Sequence, residues 1–258
     1  MIDALYIAAT GMHAQQTNVD TISNNLANVN TPAYKKTRIS FQDIFYKDIG
    51  TTSPEMTSDI SQKIGSGVGL VQLGKLFQDG DLKKTDSNMD VAIQGKGFFE
   101  VVLPDGTSAY TRAGTLQITK EGLLANSDGY ILKQAIQIPA DASDMTIDAT
   151  GKVLVTVPKQ KDKLEAGQIE LVNFVNLAGL APLGDNLYAA TEKAGDMITG
   201  LPNQDGLGKL AQGYLESSNV KLVDELTNLI LAQRAYEMNA KSIQAADEML
   251  SISNNLRR

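Results

Sequence analysis

Two stretches at opposite ends of the chain carry a seven-residue repeat, and this repeat constrains the fold more than any other feature. Near the start, Leu5, Met12, Val19 and Leu26 recur at that interval, with Ala8, Gln15, Ile22 and Val29 between them. Near the end, Leu222, Leu229, Tyr236, Ile243 and Leu250 do the same, with Leu226, Gln233 and Ala240 between them. Such a repeat is the seam of an α-helix that packs lengthwise against another helix. The first helix is predicted to stop near Val29. Asn30-Thr31-Pro32 follows, and the residue before a proline avoids helical backbone angles. Its length would be about 40 Å. The second helix is predicted to run to the end, since neither glycine nor proline occurs from Val220 onward. Ser217-Ser218-Asn219 offer N-cap side chains, and Asp224 and Glu225 place negative charge in its first turns.

A helix with one narrow apolar stripe is marginal in water on its own. The two stripes are therefore predicted to pack on each other and on copies from neighbouring chains. A plain helix pair within a monomer is the simpler alternative. Gln15 and Gln233 interrupt the seams, where a polar residue either sets register or meets solvent. Gly11 costs roughly 1 kcal/mol inside a helix relative to alanine, which suggests close approach of another helix.

Between the ends the character changes. Residues 39–210 are rich in glycine, β-branched residues and turn dipeptides, among them Asp79-Gly80, Asp105-Gly106 and Asp128-Gly129. Short apolar or alternating runs surround them at Val91–Ile93, Phe98–Leu103, Tyr130–Leu132, Val153–Val157 and Ile169–Val175. This is an all-β region of short strands. Tyr46–Gly69, with its Gly65, Gly67 and Gly69, and Ala194–Gly208 read as long connectors flanking it. The glycine run lacks the strand, helix and spacing of a dinucleotide-binding loop.

Composition narrows the chemistry. Cysteine is absent and His13 is the sole histidine, so thiol catalysis and zinc–thiolate sites are excluded. A net charge of -7 argues against nucleic acid as a partner. The compact basic cluster Lys35, Lys36 and Arg38 reads as solvated surface, and His13 as a surface or packing residue. No apolar run approaches the roughly 20 residues that span a bilayer, so no membrane insertion is expected. The first ten residues lack the basic n-region and cleavage site of a secretory signal peptide. No carboxylate pair is marked for acid–base work, and no cofactor or metal site is indicated.

Several segments carry a resemblance. Ile22-Ser-Asn-Asn-Leu-Ala-Asn-Val-Asn-Thr-Pro-Ala-Tyr-Lys-Lys36 is similar to the N-terminal signature of the bacterial flagellar axial proteins, through Asn24, Asn25, Leu26, Ala27, Asn28, Thr31, Pro32 and Tyr34. Gln212-Gly-Tyr-Leu-Glu-Ser-Ser-Asn-Val220 and the run from Glu225 to Glu237 resemble the family's C-terminal segment. Asp90–Phe99 and Tyr110–Thr115 match within the β region. Ala33 departs from the pattern, where the family often has glycine. The length, together with Phe41–Ile49 and the polar stretch after it, resembles the distal rod branch. Hook and proximal rod subunits are the alternatives within the family. An envelope enzyme acting on peptidoglycan is the alternative outside it.

The resemblance implies an α+β fold with a discontinuous helical coiled-coil domain from both termini (1–30 and 217–258). It implies an extended β connector (31–75 and 205–216) and a central all-β outer domain (76–204). It implies a structural, non-enzymatic subunit of the distal rod that polymerises into a helical tube, crosses the periplasm and transmits torque from motor to hook. Its partners would be copies of itself, the proximal rod and hook proteins, and the outer-envelope bushing rings. The flagellar type III export apparatus would deliver it without a cleaved signal peptide. The subunit interface would use the helix seams: Leu5, Met12, Val19, Ile22, Leu26, Val29, Leu222, Leu226, Leu229, Tyr236, Ile243 and Leu250.

Overall fold

A computed structural model of the chain describes residues 2–44, 46–48, 63–65, 67–157 and 163–255. Helix α1 spans Ile2–Ala27 and helix α2 spans Leu222–Asn255. Between them lies an antiparallel all-β region. Its strands are β1 (Thr37–Asp43), β2 (Tyr46–Asp48), β3 (Lys63–Gly65), β4 (Val68–Lys75), β5 (Leu82–Lys84), β6 (Val91–Gln94), β7 (Phe99–Val102), β8 (Ser108–Thr111), β9 (Leu116–Ile118), β10 (Leu124–Asn126), β11 (Ile131–Leu132), β12 (Asp144–Ile147), β13 (Lys152–Thr156), β14 (Leu164–Gln168), β15 (Leu171–Phe174), β16 (Leu180–Gly184), β17 (Leu187–Ala190), β18 (Met197–Gly200), β19 (Lys209–Gln212) and β20 (Tyr214–Glu216). The expectation of two terminal helices around an all-β centre therefore holds.

The chain forms two compact units. The first comprises Met1–Ala27, Thr37–Lys75 and Lys221–Arg258. Here α1 packs along α2, and β1 pairs with β4 from Thr37↔Lys75 to Asp43↔Val68, with a bulge at Ser40/Phe41. The shorter β2–β3 pair extends this hairpin. The connector expected from Tyr46 to Gly69 is therefore partly paired strand; residues 49–62 lie outside the described residues. Gly67 and Gly69 belong to the same correction. Gly69 is paired within β4, and Gly67 adopts φ 119° where a Cβ would meet the Thr10 hydroxyl. Thr10 Oγ1 in turn accepts the Val68 N–H at 3.4 Å, which ties the start of β4 to α1.

The second unit comprises Asn28–Lys36 and Leu76–Val220. Its largest sheet has the strand order β16-β17-β8-β7-β11-β10-β9. Alternate residues of β7, β8, β10 and β13 point inward, so Phe99, Val101, Ala109, Leu124, Val153 and Val155 join one apolar core. Full burial of each large aliphatic side chain contributes about 1.5–3 kcal/mol. A second core is aromatic: Tyr110 meets Phe174 edge to face at 4.8 Å, and Phe77 meets Tyr188 at 5.1 Å.

The turn dipeptides divide. Asp105-Gly106 joins β7 to β8: Gly106 has φ 82°, and the Asp105 carboxylate accepts from both the Thr107 N–H and hydroxyl. Asp128-Gly129 likewise joins β10 to β11, with Gly129 at φ 90°. Asp79-Gly80 is no hairpin. It runs beside the residue after β20, where a Cβ on Gly80 would strike the Ser217 carbonyl oxygen, so only glycine fits. Ala194–Gly208, expected as a loop, contains β18, which pairs with β15 from Leu171↔Gly200 to Phe174↔Met197.

Candidate assembly surface and two buried polar hubs

Within the first unit, α1 turns small and polar residues inward. Ala8, Ala14, Ile22 and Asn25 are buried, while Leu5, Met12, Gln15, Val19 and Leu26 are half-buried. Gly11 lies so close to α2 that a Cβ would sit 2.9 Å from Asn239 Nδ2. That contact gives Gly11 its physical reason, and it comes from the same chain.

On α2 the buried positions are Glu225, Ala232 and Ala246, with Asn239 half-buried at the same heptad position. Leu229, Ile243 and Leu250 are half-buried beside them. Each inward position stands one residue before the spacing counted in the sequence, because short side chains let the helices approach where Leu226 or Gln233 would hold them apart. Leu222, Leu226, Gln233 and Tyr236 are exposed in the single chain. They belong to a long uncovered apolar face. Val223 is 72% exposed, Ile230 59%, Leu231 62% and Met238 69%. Leu222, Leu226 and Ile230 form a line four residues apart. Tyr6 and Ile7 on α1 are exposed as well. A groove of about 340 Å³ lies beside Gln16, Val19, Gln233, Tyr236 and Glu237. His13 is exposed, as expected for a surface residue.

The first hub ends α1. Asn25 is buried; its Oδ1 accepts the Thr37 N–H at 2.9 Å and its Nδ2 donates to the Thr37 carbonyl at 2.9 Å. The amide thus takes the place of a strand partner for β1. Nδ2 also lies 3.5 Å from Oε2 of Glu225, the buried acid in the first turn of α2. One asparagine fastens the end of α1, the start of β1 and the start of α2. Asn24 and Ala27 are exposed, Leu26 is half-buried.

The second hub lies in the β unit. After α1, the Thr31 N–H bonds to the Asn28 carbonyl and the Thr31 hydroxyl to the Asn28 side chain. Val29 is half-buried and Pro32 exposed there. Ala33, at φ 58°, and Tyr34 are buried. The Ala33 N–H bonds to the Glu216 carbonyl at 2.8 Å. The Lys35 Nζ then donates to Glu216 Oε1 and to the Gln78 carbonyl, each at 2.6 Å. The other carboxylate oxygen accepts Arg112 Nε at 2.8 Å, and the Gly80 N–H joins at Oε1. Arg112 also donates to the Ile93 and Gly95 carbonyls. Lys35 is therefore buried, which corrects its reading as solvated surface; of that cluster only Arg38 is exposed. Burial holds the Lys35 ammonium below its ordinary pKa, with the Glu216 charge opposing that shift. Burial likewise pushes the Tyr188 phenol up, aided by nearby Tyr34 and Glu216.

Ser217-Ser218-Asn219 do not cap α2, which begins at Leu222. Asn219 is used elsewhere: its Oδ1 accepts the Lys36 N–H and its Nδ2 donates to the Leu76 carbonyl, both at 2.8 Å. Glu216, Arg112 and Asn239 escaped the sequence reading, which gave Asn219 the role of a helix cap and Glu225 that of first-turn charge rather than the hub contacts they make. Glu216, Asn219 and Arg112 lie inside the resembling segments, but their partners are remote in sequence.

The comparisons with known proteins fall on these same segments. Residues 5–35 match the family described as "Flagella basal body rod protein". Residues 92–155 match "Flagellar hook protein FlgE/F/G D1 domain", and residues 211–256 match "Flagellar basal body rod FlgEFG protein C-terminal". The flagellar basal-body rod protein FlgG of Buchnera aphidicola subsp. Schizaphis graminum is 46% identical over 254 residues, covering 97% of this chain and 98% of that one. Its counterpart in Borreliella burgdorferi is 43% identical over 264 residues, covering both chains in full, 100% each. That of Caulobacter vibrioides is 43% identical over 261 residues, 99% of this chain and 100% of that one. This chain belongs to the FlgG family of flagellar basal-body rod proteins.

The FlgG family is structural, not enzymatic, so the peptidoglycan-enzyme alternative is not favoured, and neither is a hook or proximal rod subunit. The expectation of a distal rod subunit of the flagellum stands. FlgG-type rod proteins assemble within the basal body, which implies self-association and flagellar neighbours. Among the described residues no helix is long and apolar enough to cross a membrane, and no acidic or histidine cluster is arranged for a metal.

Proposed function

We propose that this FlgG-type subunit polymerises through the uncovered face of its paired terminal helices, forming the coiled-coil inner wall of a helical tube. The observation that carries this reading is the exposed line Leu222, Leu226 and Ile230 on α2, which α1 leaves uncovered. A patch that long is unfavourable in water, and a different face of the helix pair on the next copy covers it, a heterologous contact that propagates into a helix. The seam residues Leu5, Met12, Val19, Ile22, Leu26, Val29, Leu229, Tyr236, Ile243 and Leu250 complete the contact. In this reading 1–30 and 217–258 form one domain, 31–75 and 205–216 act as connector, and 76–204 form the outer all-β domain.

The tube crosses the periplasm between the proximal rod and the hook and carries torque, with the bushing rings around it. The chain reaches its place through the flagellar type III export apparatus without a cleaved signal peptide. The test is the position of a labelled subunit in isolated basal bodies. Label on the rod segment next to the hook supports the reading; label on the hook or the proximal rod overturns it.

A further inference from the structure

We propose that the Glu216 carboxylate is the closing latch of the β unit: it draws the turn 28–36 and the loop at 78–80 onto β20, and those segments stay open until residue 216 reaches them. Lys35 is fully enclosed, 0% exposed, and Glu216 is 1% exposed, so their 2.6 Å contact is shielded from water. Arg112, itself buried, takes the second carboxylate oxygen. Asp79 lies 3.2 Å from Arg112 but is 56% exposed and balances little of the buried charge. Lys35 and Arg112, both buried, thus share the Glu216 carboxylate. Burying either cation without it is strongly unfavourable, so the closed arrangement does not form ahead of β20.

The bonds that require closure share one place. The Ala33 N–H reaches the Glu216 carbonyl, the Gly80 N–H reaches Glu216 Oε1, and the Lys36 N–H reaches Asn219 Oδ1, each at 2.8 Å. Gly80 permits this packing because any side chain there would strike the Ser217 carbonyl. The central strands form a different set. Phe99, Val101, Ala109, Leu124 and Leu132 are buried among apolar neighbours. The unit therefore has a sheet core that stands without the latch and a closing contact that comes last, separated by 181 residues from Lys35 to Glu216. Such a contact opens as a unit of its own.

The test is amide hydrogen exchange on the full chain, comparing the wild type with Glu216→Gln, which keeps shape and removes charge. The latch predicts that the Ala33, Lys36 and Gly80 amides lose protection by roughly tenfold or more, while the Val101 and Ala109 amides keep theirs. Unchanged protection at the three latch amides, or an equal loss across the sheet, overturns the proposal. If Glu216→Gln fails to fold, Asn219→Ala gives the reading without burying a charge. Selective loss at Ala33 and Gly80, whose own bonds go to Glu216 and not to Asn219, supports the latch, and uniform loss or none overturns it.

Discussion

Lys35 Nζ and Glu216 Oε1 lie 2.6 Å apart, joined across 181 residues of chain and shielded from solvent on both sides. This contact fixes where the chain enters and leaves the β unit. Burial holds the Lys35 ammonium below 10.5. The native state therefore releases that proton at lower pH than the unfolded chain does. Between the native pKa and 10.5 the unfolded chain binds more protons, so stability rises with pH through that window. Lys35→Met lacks this rise. Urea midpoints of wild type and Lys35→Met, compared from about pH 7 upward, should diverge in favour of the wild type as pH increases; parallel curves would contradict the account.

Gly11 and Asn239 make the second testable pair. Gly11→Ala gains roughly 1 kcal/mol of helix propensity but crowds Asn239, whose Nδ2 would lie 2.9 Å from the new carbon. In an Asn239→Ala background the crowding is gone and the propensity gain should appear in full. A double-mutant cycle read by thermal unfolding should give a coupling of about 0.5–1 kcal/mol. Additive substitutions would show that the helices do not approach at this point.

Ala33 sits at φ 58° with its methyl buried. Glycine would relieve about 1 kcal/mol of left-handed strain and give up a similar amount of burial, so Ala33→Gly should change stability by less than about 0.5 kcal/mol. Ala33→Val adds a β-branched side chain to the same backbone and should cost about 2 kcal/mol or more. Denaturant midpoints check both. Equal effects would mean the turn relaxes away from this conformation.

The terminal helices were legible because heptad spacing and the Asn30-Thr31-Pro32 stop are local signals. The inward face of α2 was not. Ala232, Asn239 and Ala246 are too small or too polar to register as a seam, yet small size is what allows close approach. The strands of the large sheet were readable from Val91–Ile93 or Phe98–Leu103, and the turns from Asp105-Gly106 and Asp128-Gly129. Asp79-Gly80 misled because the same dipeptide also serves where a carbonyl passes within contact of the backbone. Lys35 looked solvated because its neutralising partner lies near the other end of the chain. Ion pairs over such separations leave no periodic trace, so the Glu216 hub became visible only with the fold.

Ile230 is exposed on the uncovered line of α2. More than half of this side chain's surface is open in the single chain, so Ile230→Lys should leave its unfolding free energy within about 0.5 kcal/mol. The same change puts a charge into the proposed contact between copies. Sedimentation at high concentration should show large assemblies for the wild type and monomer for Ile230→Lys. Equal assembly by both would remove α2 from the interface.

Hydrogen exchange along α1 and α2, measured in dilute monomer and again in the assembled polymer, tests the assembly account most directly. The uncovered helix faces predict weak protection of both helices in the monomer and a gain of roughly tenfold or more on assembly, when neighbours cover the seam. Strong protection of α1 in dilute monomer, unchanged in the polymer, would contradict it.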